Sequence, residues 1–147
     1  MKARHVLAVF AGSAISLILT LVFSVILGVV FIVYYTSTGM DVHAAAKQMD
    51  FAHLTQSVPL LLSTIGIGGF AMLVGGFIAG WIGRTAHVLT GLGTGILSTL
   101  VSIPFFFWYP LWYDLVCVVA TIGPAAMGGY VARIFVGPRA AAPATQP

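Results

Sequence analysis

Four long stretches of this chain, 6–35, 54–83, 88–113 and 115–132, contain no Asp, Glu, Lys or Arg. A helix needs roughly 20 apolar residues to cross the hydrocarbon core of a bilayer, so the pattern predicts transmembrane helices at about 6–35, 57–83, 88–108 and 111–135. At 1.5 Å per residue the first would be roughly 45 Å long, more than a core of about 30 Å, and must tilt or project. Residues 36–56 form the one substantial connection, where Thr38 and Asp41 resemble a capping box opening a short amphipathic helix through Val42, Ala46 and Met49. Ser57 is a plausible cap for the second helix, with Pro59 in its first turn, and 84–87 reads as a tight turn joining antiparallel neighbours. Tyr34 and Tyr35 mark one interface of the first helix, and Phe105, Phe106, Phe107, Trp108, Tyr109, Trp112 and Tyr113 make a dense aromatic girdle on the same side.

Charge orders these helices. The six basic and three acidic residues fall by sign on alternate sides of the apolar stretches: Lys2, Arg4, Arg84, Arg133 and Arg139 on one side, Asp41, Asp50 and Asp114 on the other. Basic residues concentrate on the cytoplasmic side of membrane proteins, which puts both termini in the cytoplasm, with Lys47 as the single exception. The expected architecture is therefore all-α: an antiparallel up-down four-helix transmembrane bundle, 1–136, followed by a disordered cytoplasmic tail, 137–147. Charged residues make up 6% of the chain and the mean hydropathy is +1.09, against about 25% charged in soluble domains. The sequence pI near 9.4 follows from the same positive-inside bias, and cations this sparse make no nucleic-acid patch. The first apolar run exceeds the roughly 7–15 residues of a signal peptide core, so it reads as a retained signal anchor. Cys117 stands alone, excludes an internal disulfide and reads as a packing residue.

Helices in lipid associate where small residues let backbones approach. In the first helix Ala8, Gly12, Ser16, Thr20, Ser24 and Gly28 recur at four-residue spacing. Four residues advance 400° on an ideal helix, so the row winds about 200° and no single straight partner covers it. Gly76 and Gly80, Gly91 and Gly95, and Gly128 and Gly129 equip the other helices. Gly75-Gly76-Phe77-Ile78-Ala79 also matches Gly128-Gly129-Tyr130-Val131-Ala132, and Thr64-Ile65-Gly66 matches Thr121-Ile122-Gly123. Two parallel repeats and a chance recurrence in glycine-rich membrane helices both account for these matches.

Candidate chemistry is thin. No ionisable residue sits in the centre of a predicted helix, which argues against proton coupling, and Asp114 beside the aromatic girdle reads as an interfacial anchor. His5 and His87 lie at the cytoplasmic helix ends, too shallow to clamp a haem. His43, Lys47, Asp50 and His53 form a polar face on the outer connection. A solvated surface explains that face as well as a divalent-cation site does, and neither metal nor cofactor is expected. Gly123-Pro124 should free the Ala120 carbonyl and kink or break the fourth helix, as Pro104 should for the Leu100 carbonyl. Broken helices build midplane substrate sites. Thr121, Ser98 and Ser102 are the hydroxyls that would serve one, a kink capped by Thr121 being the plainer alternative.

At Gly75-Gly76-Phe77-Ile78-Ala79-Gly80, the Arg84 turn, Gly91 to Gly95 and Gly128-Gly129-Tyr130, the chain resembles small bacterial four-helix membrane proteins with paired glycines in the second and fourth helices. The resemblance implies this architecture and a bacterial cytoplasmic membrane, and no activity. The first expectation is a non-catalytic helix-packing protein, self-associating or joined to another membrane protein, with the lipid bilayer and no nucleic acid as further partner. The alternative is a small transporter or channel element for an uncharged or weakly charged solute, using the break at Gly123-Pro124.

Overall fold

The computed structural model describes residues 2–48, 58–84, 86–105 and 109–136. They are helical, with no strand among them: α1 (Lys2–Ser37), α2 (Val42–Gln48), α3 (Val58–Gly83), α4 (His87–Ser102), a 3₁₀ turn (Ile103–Phe105) and α5 (Leu111–Val136). The 36 residues of α1 and the 26 each of α3 and α5 are long and apolar enough to cross a membrane, whereas α4 is a shorter apolar helix of 16 residues. The tail 137–147, Ser57 and the aromatic residues Phe106, Phe107 and Trp108 lie outside the described residues.

Two proline expectations change. The third helix was expected to run to 108, yet α4 ends at Ser102 because Pro104 supplies no N–H to Leu100. The Ile103 N–H donates to the Leu100 carbonyl instead, tightening the chain into the 3₁₀ turn. The fourth helix does not break: α5 is continuous through Pro124. The Ala120 carbonyl that loses its donor lies beside Gly69 of α3, where a Cβ would stand 3.5 Å from that oxygen and 3.6 Å from the Pro124 ring. Packing of this kind is how a membrane helix tolerates an internal proline.

The connection after α1 also differs in detail. The Thr38 hydroxyl turns back to the Tyr35 carbonyl at 2.7 Å, and Gly39, at φ 89°, makes the turn that a side chain would resist. Asp41 is the cap, its carboxylate accepting the His43 N–H at 3.1 Å. In α2, which packs on α1, Ala45 is buried while Val42, His43, Ala46 and Lys47 are exposed.

Small residues occupy the interior and large ones the surface. Ala8, Ala71, Ala79, Ala125 and Ala132 are fully buried, whereas Val119 is 72% and Leu89 70% exposed. Water would penalise such a surface at every exposed aliphatic group, while lipid tails are themselves apolar. The helices then close through backbone contact. The α3 and α5 pair packs most extensively, with α1 against α3 and α4 against α5. A Cβ on Gly12 would lie 2.6 Å from the Gly75 carbonyl oxygen, and one on Gly75 the same distance from that of Gly12. Gly76 abuts Ala125, Gly80 would place a Cβ 2.8 Å from that of Ala132, and Gly91 one 2.5 Å from the Ala125 carbonyl oxygen. Gly95 meets Ile122, Gly128 meets the backbone of Leu73 and Phe77, and Gly129 meets the His87 carbonyl.

The contacts run Thr64 to Tyr113, Gly76 to Ala125 and Gly80 to Ala132, so α3 and α5 are parallel. The paired glycines of these helices nevertheless play unequal parts. In α3 the first glycine meets α1 and the second α5; in α5 the first meets α3 and the second α4. Two repeats related by a two-fold axis would use the same member of each pair against their own partner helix.

At the Arg84 end, Arg4 donates through Nε to the Ile82 carbonyl at 2.9 Å, and buried His87 donates through Nδ1 to the Gly80 carbonyl at 2.6 Å. Ile82 is among the last residues of α3, whose carbonyls lack intrahelical donors, while the Gly80 carbonyl also accepts the Arg84 N–H at 3.3 Å; positive charge is favoured at this helix end.

Candidate functional site

At the opposite end, where α1 and α4 finish and α3 and α5 begin, the helices part around a cavity of about 280 Å³. Its position follows from the packing. The glycine contacts draw the helices together from Gly12 and Gly75 toward the Arg84 end, and beyond them Leu17, Leu27 and Met72 hold the backbones apart.

Polar groups from every long helix line this space. Thr20 and Ser24 come from α1, Thr64 from α3, Ser98 and Ser102 from α4, and Tyr113, Asp114, Cys117 and Thr121 from α5, with Tyr109 just before it. Asp114 and Ser98 are buried, at 7% and 3% exposure, while Ser24, Thr64 and Ser102 are exposed, so the cavity opens to the surroundings.

Three of the hydroxyls are satisfied within their own helix, the cheapest solution in an apolar medium. Thr20 donates to the Ser16 carbonyl at 2.8 Å and Ser102 to that of Ser98 at 2.9 Å. Thr64 donates to the Leu61 carbonyl at 2.8 Å and also shares a hydrogen bond with the Tyr113 hydroxyl at 2.9 Å, joining α3 to α5. The Tyr109 and Tyr113 rings lie 4.8 Å apart, tilted by 38°. Burial, then the neighbouring Cys117 and Asp114, push the Tyr109 phenol above its ordinary range, so it is a neutral donor at physiological pH. Ser98 is the buried hydroxyl whose Oγ has no hydrogen-bond partner among the described residues.

Several expected site residues are elsewhere. Gly123 is exposed with nothing near its α-carbon, and Pro104 is exposed beyond α4; neither they nor Pro124 line the cavity. Thr121 does, together with Ser98 and Ser102, but near one end of the bundle rather than around a helix break. The helix-one row divides. Ala8, Gly12 and Ser16 are buried in helix contacts, Thr20 and Ser24 line the cavity, and Gly28 is half-exposed beyond it. His43 and Lys47 are exposed on α2, while Asp50 and His53 lie outside the described residues. Asp114, expected as an interfacial anchor, faces inward. Its inward turn follows from the helical phase that also brings Cys117 and Thr121 to the cavity at three- and four-residue steps, a signal present in the sequence.

A larger crevice of about 540 Å³ between α1 and α4, lined by Val6, Val9, Phe10, Leu89 and Leu97 among others, is mainly apolar and suits acyl chains. Together these features define an all-helical protein with the composition and surface of a membrane protein. No known protein family, curated protein or solved structure matches the chain.

Proposed function

We propose that the protein is a multi-pass protein of the bacterial cytoplasmic membrane, its four helices running up and down with both termini inside, and that its cavity holds a small polar solute as part of a transporter or channel element. One observation carries this reading: polar side chains from α1, α3, α4 and α5, the buried Asp114 and the unpartnered Ser98 hydroxyl among them, meet around a single cavity. Polar groups inside a membrane bundle are expensive and mark ligand and ion paths. The substrate path is the cavity itself, without a break in α5.

Cys117 provides the test, because it is half-buried, lines the cavity and is the chain's single cysteine. A small hydrophilic methanethiosulfonate reagent is expected to label Cys117 in the folded protein. Labelling only after denaturation, or only by lipid-soluble reagents, would show a dry interior and remove the reading.

A second reading, assembly with another copy or another membrane protein, is favoured by α1. Of its most apolar 18-residue window 6% is buried, against 28% in α3 and 22% in α5. Native mass spectrometry from mild detergent is expected to show a dimer or a retained subunit; a lone monomer would end this reading.

A further inference from the structure

We infer that the cavity binds a small organic ammonium ion, with Asp114 as its counter-charge and the Tyr109 and Tyr113 rings as aromatic walls. The inference rests on the solute-binding reading and names the substrate class of that site. Asp114 is the one charged side chain in the lining among the described residues, and at 7% exposure its field acts in a medium of low dielectric. That sign selects a cation. The two tyrosines also line the cavity, and packed on each other they bring aromatic surface and phenol oxygens of the kind that hold ammonium groups.

The remaining lining decides between organic and metal cations. A divalent metal ion requires about six oxygen ligands and usually several carboxylates; here one carboxylate stands among hydroxyls and the apolar Leu17, Leu27 and Met72. An alkylammonium presents both a charge and hydrocarbon, which matches this mixture. The Ser98 Oγ adds a demand of its own, since a buried hydroxyl without a partner is completed by a ligand that donates or accepts one more hydrogen bond. The volume of about 280 Å³ limits the ligand to a few heavy atoms, drug-sized pockets being about 300–1,000 Å³. The amino end of α5 already interacts favourably with an acidic residue in its first turn, which tempers the pull of Asp114 and suits a ligand that must leave again.

The experiment measures the rate at which a small neutral methanethiosulfonate labels Cys117 in the full-length protein in nanodiscs. Choline is the probe and 3,3-dimethylbutan-1-ol its uncharged isostere. Saturating choline is expected to slow labelling roughly fivefold or more, the isostere to leave it unchanged. Asp114→Asn should abolish protection by choline while labelling without choline persists, showing that the variant is folded and its cavity open, and Asp114→Glu should restore protection. Equal protection by the two probes, no protection by choline, or protection surviving in Asp114→Asn would overturn the inference and leave the solute-binding reading standing. Failure of the reagent to reach Cys117 in the native protein would overturn both.

Discussion

Ser98 differs from the hydroxyls around it because its own helix has no acceptor to spare. Thr94 donates to the Thr90 carbonyl at 3.0 Å and Thr99 to the Gly95 carbonyl at 2.9 Å, each four residues back. The equivalent acceptor for Ser98 is the Thr94 carbonyl, and the Ser13 hydroxyl of α1 reaches it from across the helix contact at 3.4 Å. A buried unsatisfied hydroxyl costs about 1–3 kcal/mol. Ser98→Ala should therefore raise the stability of the ligand-free protein by about 1 kcal/mol, seen as a higher Tm in detergent, while weakening protection of Cys117 by choline. A lower Tm would mean that Ser98 is satisfied after all. Glycine positions make a second contrast at this scale. Gly76→Ala drives a methyl group into the Ala125 backbone and should cost about 2–3 kcal/mol. Gly66→Ala meets nothing within 4 Å and should be neutral or stabilising by up to about 1 kcal/mol. Thermal denaturation of both variants checks the pair, and equal effects would contradict the close approach of α3 and α5.

At the scale of elements, the apolar stretches read the helical segments well, because each is bounded by charge or proline and must satisfy its own backbone bonds. Ends were less legible. Pro104 was correctly a disturbance, but the cost of an unfilled Leu100 carbonyl was met by the Ile103 N–H, an adjustment that depends on local geometry rather than on residue type. Pro124 shows the same limit: residue type alone says kink or break, and it is packing against Gly69 that accompanies a continuous α5. Pro124→Ala should consequently leave the fold intact and restore one backbone hydrogen bond. The expected gain is about 1–2 kcal/mol, less than the roughly 3 kcal/mol of an interior proline in water because the ring also packs on α3. Thermal denaturation measures it, and collapse of the protein would show that the proline ring is required for the packing of α5 on α3. The cavity was legible only in fragments. Ser98, Ser102 and Thr121 announced themselves as hydroxyls in apolar helices, while Thr64 and Tyr113 became partners only through the parallel contact of α3 and α5, which local sequence does not encode.

At the scale of the whole molecule, the polar cavity lies toward the end opposite Arg84, and charge sorting predicts which end faces the cell. At the Arg84 end glycine contacts hold α3, α4 and α5 together and Arg4 and His87 bind carbonyls of α3, while the apolar crevice lies between α1 and α4. The Tyr113 end holds the cavity with Asp114 and the neutral Tyr109. Five of the six basic residues belong to the segments on the Arg84 side of the apolar stretches, so on the proposed topology the positive-inside bias directs the cavity away from the cytoplasm. On the proposed solute-binding function, a cavity reached from one side only would correspond to one state of an alternating-access cycle, which gives orientation a testable meaning. A membrane-impermeant methanethiosulfonate added to right-side-out spheroplasts should label Cys117, and the same reagent added to inverted membrane vesicles should label it far more slowly. A fluorescent protein fused after Pro147 should fluoresce, being retained in the cytoplasm. The reverse labelling pattern would place the cavity on the cytoplasmic side. Equal labelling from both sides would instead require that the Arg84 end also opens, converting a one-sided binding site into a continuous path.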